Sequence, residues 1–71
     1  MIETRILKAR MTLLGVSTKD LADAQDWSMS TAYRKINGEV AWSVPELKKV
    51  KELLSLDEDA MNAIFFAADL S

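Results

Sequence analysis

The 71-residue chain contains no cysteine and no histidine. The first absence removes disulfides and thiolate chemistry, and the two together remove the usual zinc ligands. A chain free of cysteine fits a reducing compartment. One proline and two glycines are too few for a loop-rich chain, and repeats, linkers and low-complexity stretches are missing as well. The longest apolar run, Ala63 to Ala68, is far short of a membrane span. The N-terminus lacks the basic-then-apolar layout of a signal peptide. Strand-like alternation bounded by turn signals is also missing. No serine or threonine pairs with a base in a way that stands apart from helix capping, so no enzymatic activity is expected. Asp57, Glu58 and Asp59 lack calcium-loop spacing, and neither a metal nor another cofactor is expected.

What is present fits one small domain spanning residues 1–71. Hydrophobic residues make up 49% and charged residues 28%, the balance of a globular chain rather than a disordered one. So short a chain buries a limited share of its surface, and its stability is expected to be modest unless it oligomerises. The net charge is −2, but its distribution is uneven. Residues 1–37 carry six basic and four acidic side chains, whereas residues 38–71 carry three basic and seven acidic. From Ser28 to Gly38 there are two basic residues and no acidic one. A local basic face can survive a net acidic chain.

Helical spacing recurs along the sequence and predicts an all-α bundle of five short helices. The first runs from about Glu3 to Leu14, with Ile6, Ala9 and Leu13 on its inner face, Ile2 and Leu14 beside them, and Gly15 as its stop. The second starts at Ser17, where Ser17 and Asp20 have capping-box spacing, turns Leu21 and Ala22 inward, and ends near Gln25 or Asp26. The third runs from Ser28 to about Asn37, with Ala32 and Ile36 inward and Asn37-Gly38 as a stop. The fourth starts at Ser43. Ser43 and Glu46 form a second candidate box, Pro45 falls in the first turn, and Trp42 and Leu47 fit a hydrophobic staple. Its inner stripe is Leu47, Val50 and Leu54. The fifth starts at Asp57, with Leu56 and Met61 as a further staple and Met61, Ile64 and Phe65 inward. Phe66 and Leu70 fall off that stripe, and Phe66 is the residue best suited to a protein interface.

The second and third helices are joined by about three residues, Asp26 to Ser28, the connection length of a DNA-binding helix-turn-helix. Close crossing of two helices needs a small residue, and Ala22 supplies it. Turns of this kind favour glycine in a left-handed conformation. Asp26 stands there instead, and aspartate tolerates that conformation at some cost. Trp27 follows as the buried hydrophobe of the turn.

The stretch VSTKDLADAQDWSMSTAYRKING resembles the lambda-repressor-like, Cro-type helix-turn-helix family. The likeness rests on Ser17-Thr18, Leu21-Ala22, a hydrophobe before Ser28, Ser30-Thr31, and the ending Tyr33-Arg34-Lys35-Ile36-Asn37-Gly38. The five-helix outline, with Trp42-Ser43 before the fourth helix and Ile64-Phe65-Phe66 near the end, is similar to small regulators of temperate phages of Gram-positive bacteria. Asp26 in place of glycine, Thr18 in place of glutamine and Met29 at the first recognition position depart from the pattern.

The resemblance implies a third helix lying in the major groove with its N-terminal residues toward base edges. Met29, Ser30, Tyr33 and Arg34 then share the outward face. Arg34 suits guanine or a phosphate, Ser30 and Thr31 a base or a phosphate, and Met29 a thymine methyl. Thr18 and Ser28, at helix starts, suit phosphates, as do Lys35 and Asn37. Tyr33 has an alternative place against the fourth helix, and both tryptophans are expected in the core. The implied function is a sequence-specific transcription regulator that binds double-stranded operator DNA as a homodimer in the cytoplasm of a bacterial host. The alternative is an antirepressor that grips a phage repressor protein and blocks its DNA-binding face, a reading that net acidity favours. The antidote of a toxin–antitoxin pair is a third, weaker reading.

Overall fold

The computed structural model describes residues 2–66. Among them five α-helices follow in order: α1 (Thr4–Leu14), α2 (Thr18–Gln25), α3 (Met29–Ile36), α4 (Val44–Leu53) and α5 (Glu58–Met61). The last runs directly into a π-helical turn, Asn62–Phe66, and there is no strand among the described residues. The fold is all-α, with the expected helix count. The π turn is an addition that side-chain periodicity did not signal.

Helix starts follow the capping chemistry. Ser17 Oγ accepts from the Asp20 amide and Asp20 Oδ2 accepts from the Ser17 amide, each at 3.0 Å, which closes the box at the start of α2. Ser43 and Glu46 close the second box at the start of α4, where Pro45 sits in the first turn. Ser28 and Asp57 cap α3 and α5 through their side-chain oxygens. These four residues precede their helices rather than open them.

Four helix ends use one device. Gly15, Asp26, Gly38 and Ser55 take left-handed backbone angles, with φ of 70°, 60°, 79° and 51°. In each case the next amide reaches the carbonyl five residues back: Val16 to Met11, Trp27 to Ala22, Glu39 to Arg34 and Leu56 to Lys51. These bonds satisfy carbonyls that the helix itself leaves free. Glycine fills two of the four positions.

The core gathers Leu7, Met11, Leu21, Ile36, Val50, Leu54, Leu56, Met61, Ile64 and Phe65. Ala22 and Ala32 are buried where α2 crosses α3. In α1 the inner face differs from the expected one. Leu7 and Met11 are buried, whereas Ile6 is 42% and Leu13 74% exposed, and Ala9 is exposed as well. The helix carries two apolar stripes, Ile6–Ala9–Leu13 and Leu7–Met11–Leu14, and periodicity alone does not choose between them. Long-range bonds at its start accompany the choice. The Thr4 hydroxyl donates to the Ile36 carbonyl at 2.8 Å, and the Glu3 amide to the Ile64 carbonyl at 2.7 Å. Together they fix the start of α1 against the end of α3 and the π turn. Phe66 is exposed, off the buried stripe as expected, and Leu70 lies outside the described residues.

Candidate nucleic-acid interface

The connection from α2 to α3 consists of Asp26, Trp27 and Ser28. Asp26 turns the chain through its left-handed conformation, Trp27 folds inward, and Ser28 extends and caps α3. Ala32, Lys35 and Ile36 face inward from α3. At 100° per residue the opposite side of the helix is then Ser30, Tyr33, Arg34 and Asn37. All four are exposed, and Met29 lies at their edge, 41% exposed. The Arg34 guanidinium has no ion pair among the described residues. Thr31 is half-buried, and its Oγ1 accepts from Ser28 Oγ at 3.0 Å, so that pair serves the cap first.

Lys35 is placed elsewhere than the expected phosphate-contacting position. It is only 8% exposed. Its Nζ donates to Glu46 Oε1 at 2.7 Å and to the Ala41 carbonyl at 2.6 Å, and lies 5.4 Å from the centre of the Trp27 ring. Its charge is therefore turned inward, away from the face formed by Ser30 and Arg34. The reason lies in Glu46, which also accepts from Trp27 Nε1 at 2.8 Å and from the Ser43 amide at 2.7 Å. A carboxylate with three donors would be left a charge in excess without a cation beside it. Burial by itself raises the Glu46 carboxyl. The Lys35 hydrogen bond, the Ser43 amide, the Trp27 indole and the Lys35 charge outweigh it and hold the group at about 2, against an ordinary 4.5. The Glu46 carbonyl accepts from Gln25 Nε2 at 2.8 Å, so one residue of α4 holds the end of α2, the turn and α3. Trp42 adds a bond from its Nε1 to the Lys35 carbonyl at 2.9 Å, and stacks edge-on between Trp27 and Phe65 at 5.1 and 5.0 Å. Both tryptophans are spent on this packing, as their turn and staple positions suggested.

Tyr33 is 53% exposed and lies toward α1 rather than α4. A groove of about 340 Å³ separates α3 from the α1–α2 junction; Lys8, Thr12, Thr18 and Tyr33 supply its polar lining, and Met11, Val16 and Ile36 its apolar one. Thr18 is half-buried at this groove, at the start of α2. In the first turns of α2 and α3, the Thr18 and Lys19 amides and the Met29 and Ser30 amides have no intrahelical acceptor. The Asp20 carboxyl is held below its ordinary 3.8 by the Ser17 amide first and the Ser17 hydroxyl second. Lys8 is the residue of this surface that the sequence did not reveal. Its signal was available once Leu7 and Met11 are known to face inward, since Lys8 then falls on the flank of α1 that faces α3.

The surface thus combines one outward arginine, a lysine from a second helix, hydroxyls and free amides at two helix starts, with an apolar methionine at its edge. It can hold anionic oxygens while offering mixed polar and apolar contacts. No curated protein and no solved structure matches the chain. The family model of the BetR domain matches residues 4–64, which span α1 through the first part of the π turn. The chain belongs to the BetR domain family, small helix-turn-helix-like domains associated with DNA-binding regulators.

Proposed function

We propose that this domain is a sequence-specific DNA-binding transcription regulator of the phage Cro or repressor kind, with α3 in the major groove and no catalytic step. The observation that carries the reading is the outward face of α3, where Ser30, Tyr33, Arg34 and Asn37 are all exposed and held by a three-residue turn. Met29 sits at the N-terminal edge of that face, suited to a thymine methyl. Lys8 and Thr18, across the groove from Tyr33, serve the flanking phosphate backbone together with the free amides of α2. Ser28 and Thr31 keep their cap and offer a phosphate the remaining capacity of their hydroxyls. Two copies related by a two-fold axis would read half-sites about one helical turn apart.

The test is fluorescence anisotropy on DNA flanking the gene, run across a series of salt concentrations. Arg34→Ala should weaken binding about tenfold or more while leaving the melting curve in place. Unchanged affinity in a folded Arg34→Ala variant would move the interface off α3.

One observation favours a second reading. With Lys35 turned inward, Arg34 is the sole cation on the outward face of α3. A face so weakly cationic, on a chain of net charge −2, also suits docking on a basic repressor protein, whose DNA-binding surface it would cover. In that case the chain alone shifts no DNA near its gene, yet releases a repressor from its operator.

A further inference from the structure

The most exposed large apolar side chain among the described residues belongs neither to the core nor to the face of α3. Leu13 is 74% exposed, and Ile6, two turns earlier on α1, is 42% exposed. Ala9 lies between them, also exposed, and the three residues share the side of the helix opposite Leu7 and Met11. The spacing i, i+3, i+7 is that of anchors for a helix laid alongside. Arg5 borders this stripe on one side and Arg10 on the other. From Thr4 to Val16 there is no acidic residue at all.

Charge selects the occupant. A second copy packed antiparallel about a two-fold axis would set Ile6 against Leu13 of the other copy, which suits the apolar atoms. It would also bring the two Arg10 side chains to one side of the axis and the two Arg5 side chains to the other, with no carboxylate in either helix to offset them. An anionic membrane would answer the arginines, but Ile6, Ala9 and Leu13 form a narrow apolar stripe to bury in a bilayer. A helix with an apolar stripe between carboxylates satisfies both the Ile6–Leu13 stripe and the arginines.

We propose that the outward face of α1 is a docking surface for an acidic amphipathic helix of another protein. It shares no residue with the face formed by Ser30, Tyr33, Arg34 and Asn37. The probe is a labelled synthetic helical peptide with leucines at i, i+3 and i+7 and flanking glutamates, beside a twin with lysine for every glutamate. By fluorescence anisotropy the acidic peptide should bind saturably and more weakly as salt rises, and the lysine twin should not bind. Leu13→Ser and Ile6→Ser should each lower the affinity about tenfold or more, and Arg34→Ala should leave it unchanged. Arg5→Glu, a substitution at an exposed position, should weaken binding of the acidic peptide and flatten its salt dependence. Circular dichroism of each variant should match the parent chain.

Absence of binding, equal binding of the twin, or binding indifferent to Leu13→Ser would overturn the proposal. So would a sedimenting dimer that Leu13→Ser converts to monomer, or capture by phosphatidylserine vesicles that the same substitution abolishes. None of these outcomes depends on whether the chain binds DNA.

Discussion

Asp26 holds the turn between α2 and α3 at φ 60°, a conformation that costs an L-residue energy and that glycine adopts freely. Its carboxylate also stands at the C-terminal end of α2, where the helix dipole disfavours negative charge. Both effects point the same way. Asp26→Gly is expected to stabilise the domain by about 1 kcal/mol, read as a rise in thermal midpoint. An unchanged or lowered midpoint would mean that the aspartate has a local partner that offsets its strain. Arg34 and Lys35, adjacent in sequence, should separate cleanly under substitution. Arg34 is exposed, so Arg34→Ala should alter binding and not the melt. Lys35 is buried against Glu46, so Lys35→Met should lower stability by about 2–3 kcal/mol, because it leaves a largely buried carboxylate without its cation. The slope of log affinity against log salt should stay as in the parent chain, since the Lys35 charge never reaches a phosphate. A shallower slope with an intact melt would return Lys35 to the binding face.

The elements are locked by contacts that join α4 to the helix-turn-helix. Glu46 receives donors from Lys35 of α3, Trp27 of the turn and the Ser43 amide, while its backbone carbonyl takes Gln25 of α2. Its carboxyl titrates at about 2 in the fold and near 4.5 when free. A carboxyl held low in the fold contributes stability that is fully present above about 4.5 and is lost as the pH falls towards about 2. The loss should amount to about 1–2 kcal/mol, allowing for the open edge of the group. Tryptophan fluorescence would follow it, since Trp27 and Trp42 adjoin the site. Glu46→Gln should flatten that part of the acid profile, and an unaltered profile would place the transition on other carboxyls. Leu21→Ala or Ile36→Ala should cost about 2–4 kcal/mol, since both side chains are buried where α2 and α3 meet the rest of the core. Unshifted melts would contradict that packing. Helix starts to within one residue, both capping boxes, the left-handed Asp26 and the outward placing of Ser30, Tyr33 and Arg34 were legible in the sequence, because each depends on residues within a few positions of one another. The inner face of α1, the inward turn of Lys35 and the groove position of Lys8 were not. Each is settled by a partner far along the chain: Ile36 and Ile64 for the start of α1, Glu46 for Lys35, Thr18 and Tyr33 for Lys8. The π turn escaped for a different reason, since the inward positions of Met61, Ile64 and Phe65 fit an α-helical stripe equally well.

Across the whole molecule, charge is divided between a basic first half and an acidic second half, and the family places the domain among DNA-binding regulators. If DNA is the target, log affinity must fall with log salt by about 0.9 for each phosphate neutralised. Arg34 and Lys8 are the cations placed to do this at the α3 face and its groove, and Lys35 is not. The slope is therefore expected to be shallow, about −2 per bound domain or about −4 for a dimer on two half-sites. Lys8→Gln and Arg34→Ala should each reduce it by about 0.9 per domain if both contacts are to phosphate. If Arg34 reads guanine instead, its loss should erase discrimination at one base position and leave the slope nearly intact. A repressor-directed modulator gives a different pattern. The chain alone would shift no DNA even at low salt, a stable complex with a repressor would form, and Met29, Ser30 and Tyr33 substitutions would weaken that complex along with Arg34→Ala. The free amides at the starts of α2 and α3, with a lysine and a hydroxyl beside the first, favour phosphate over a protein surface, because phosphate oxygens accept from such donors without a matching side chain. Failure to bind any DNA near the gene at low salt, together with a stable repressor complex, would reverse that preference.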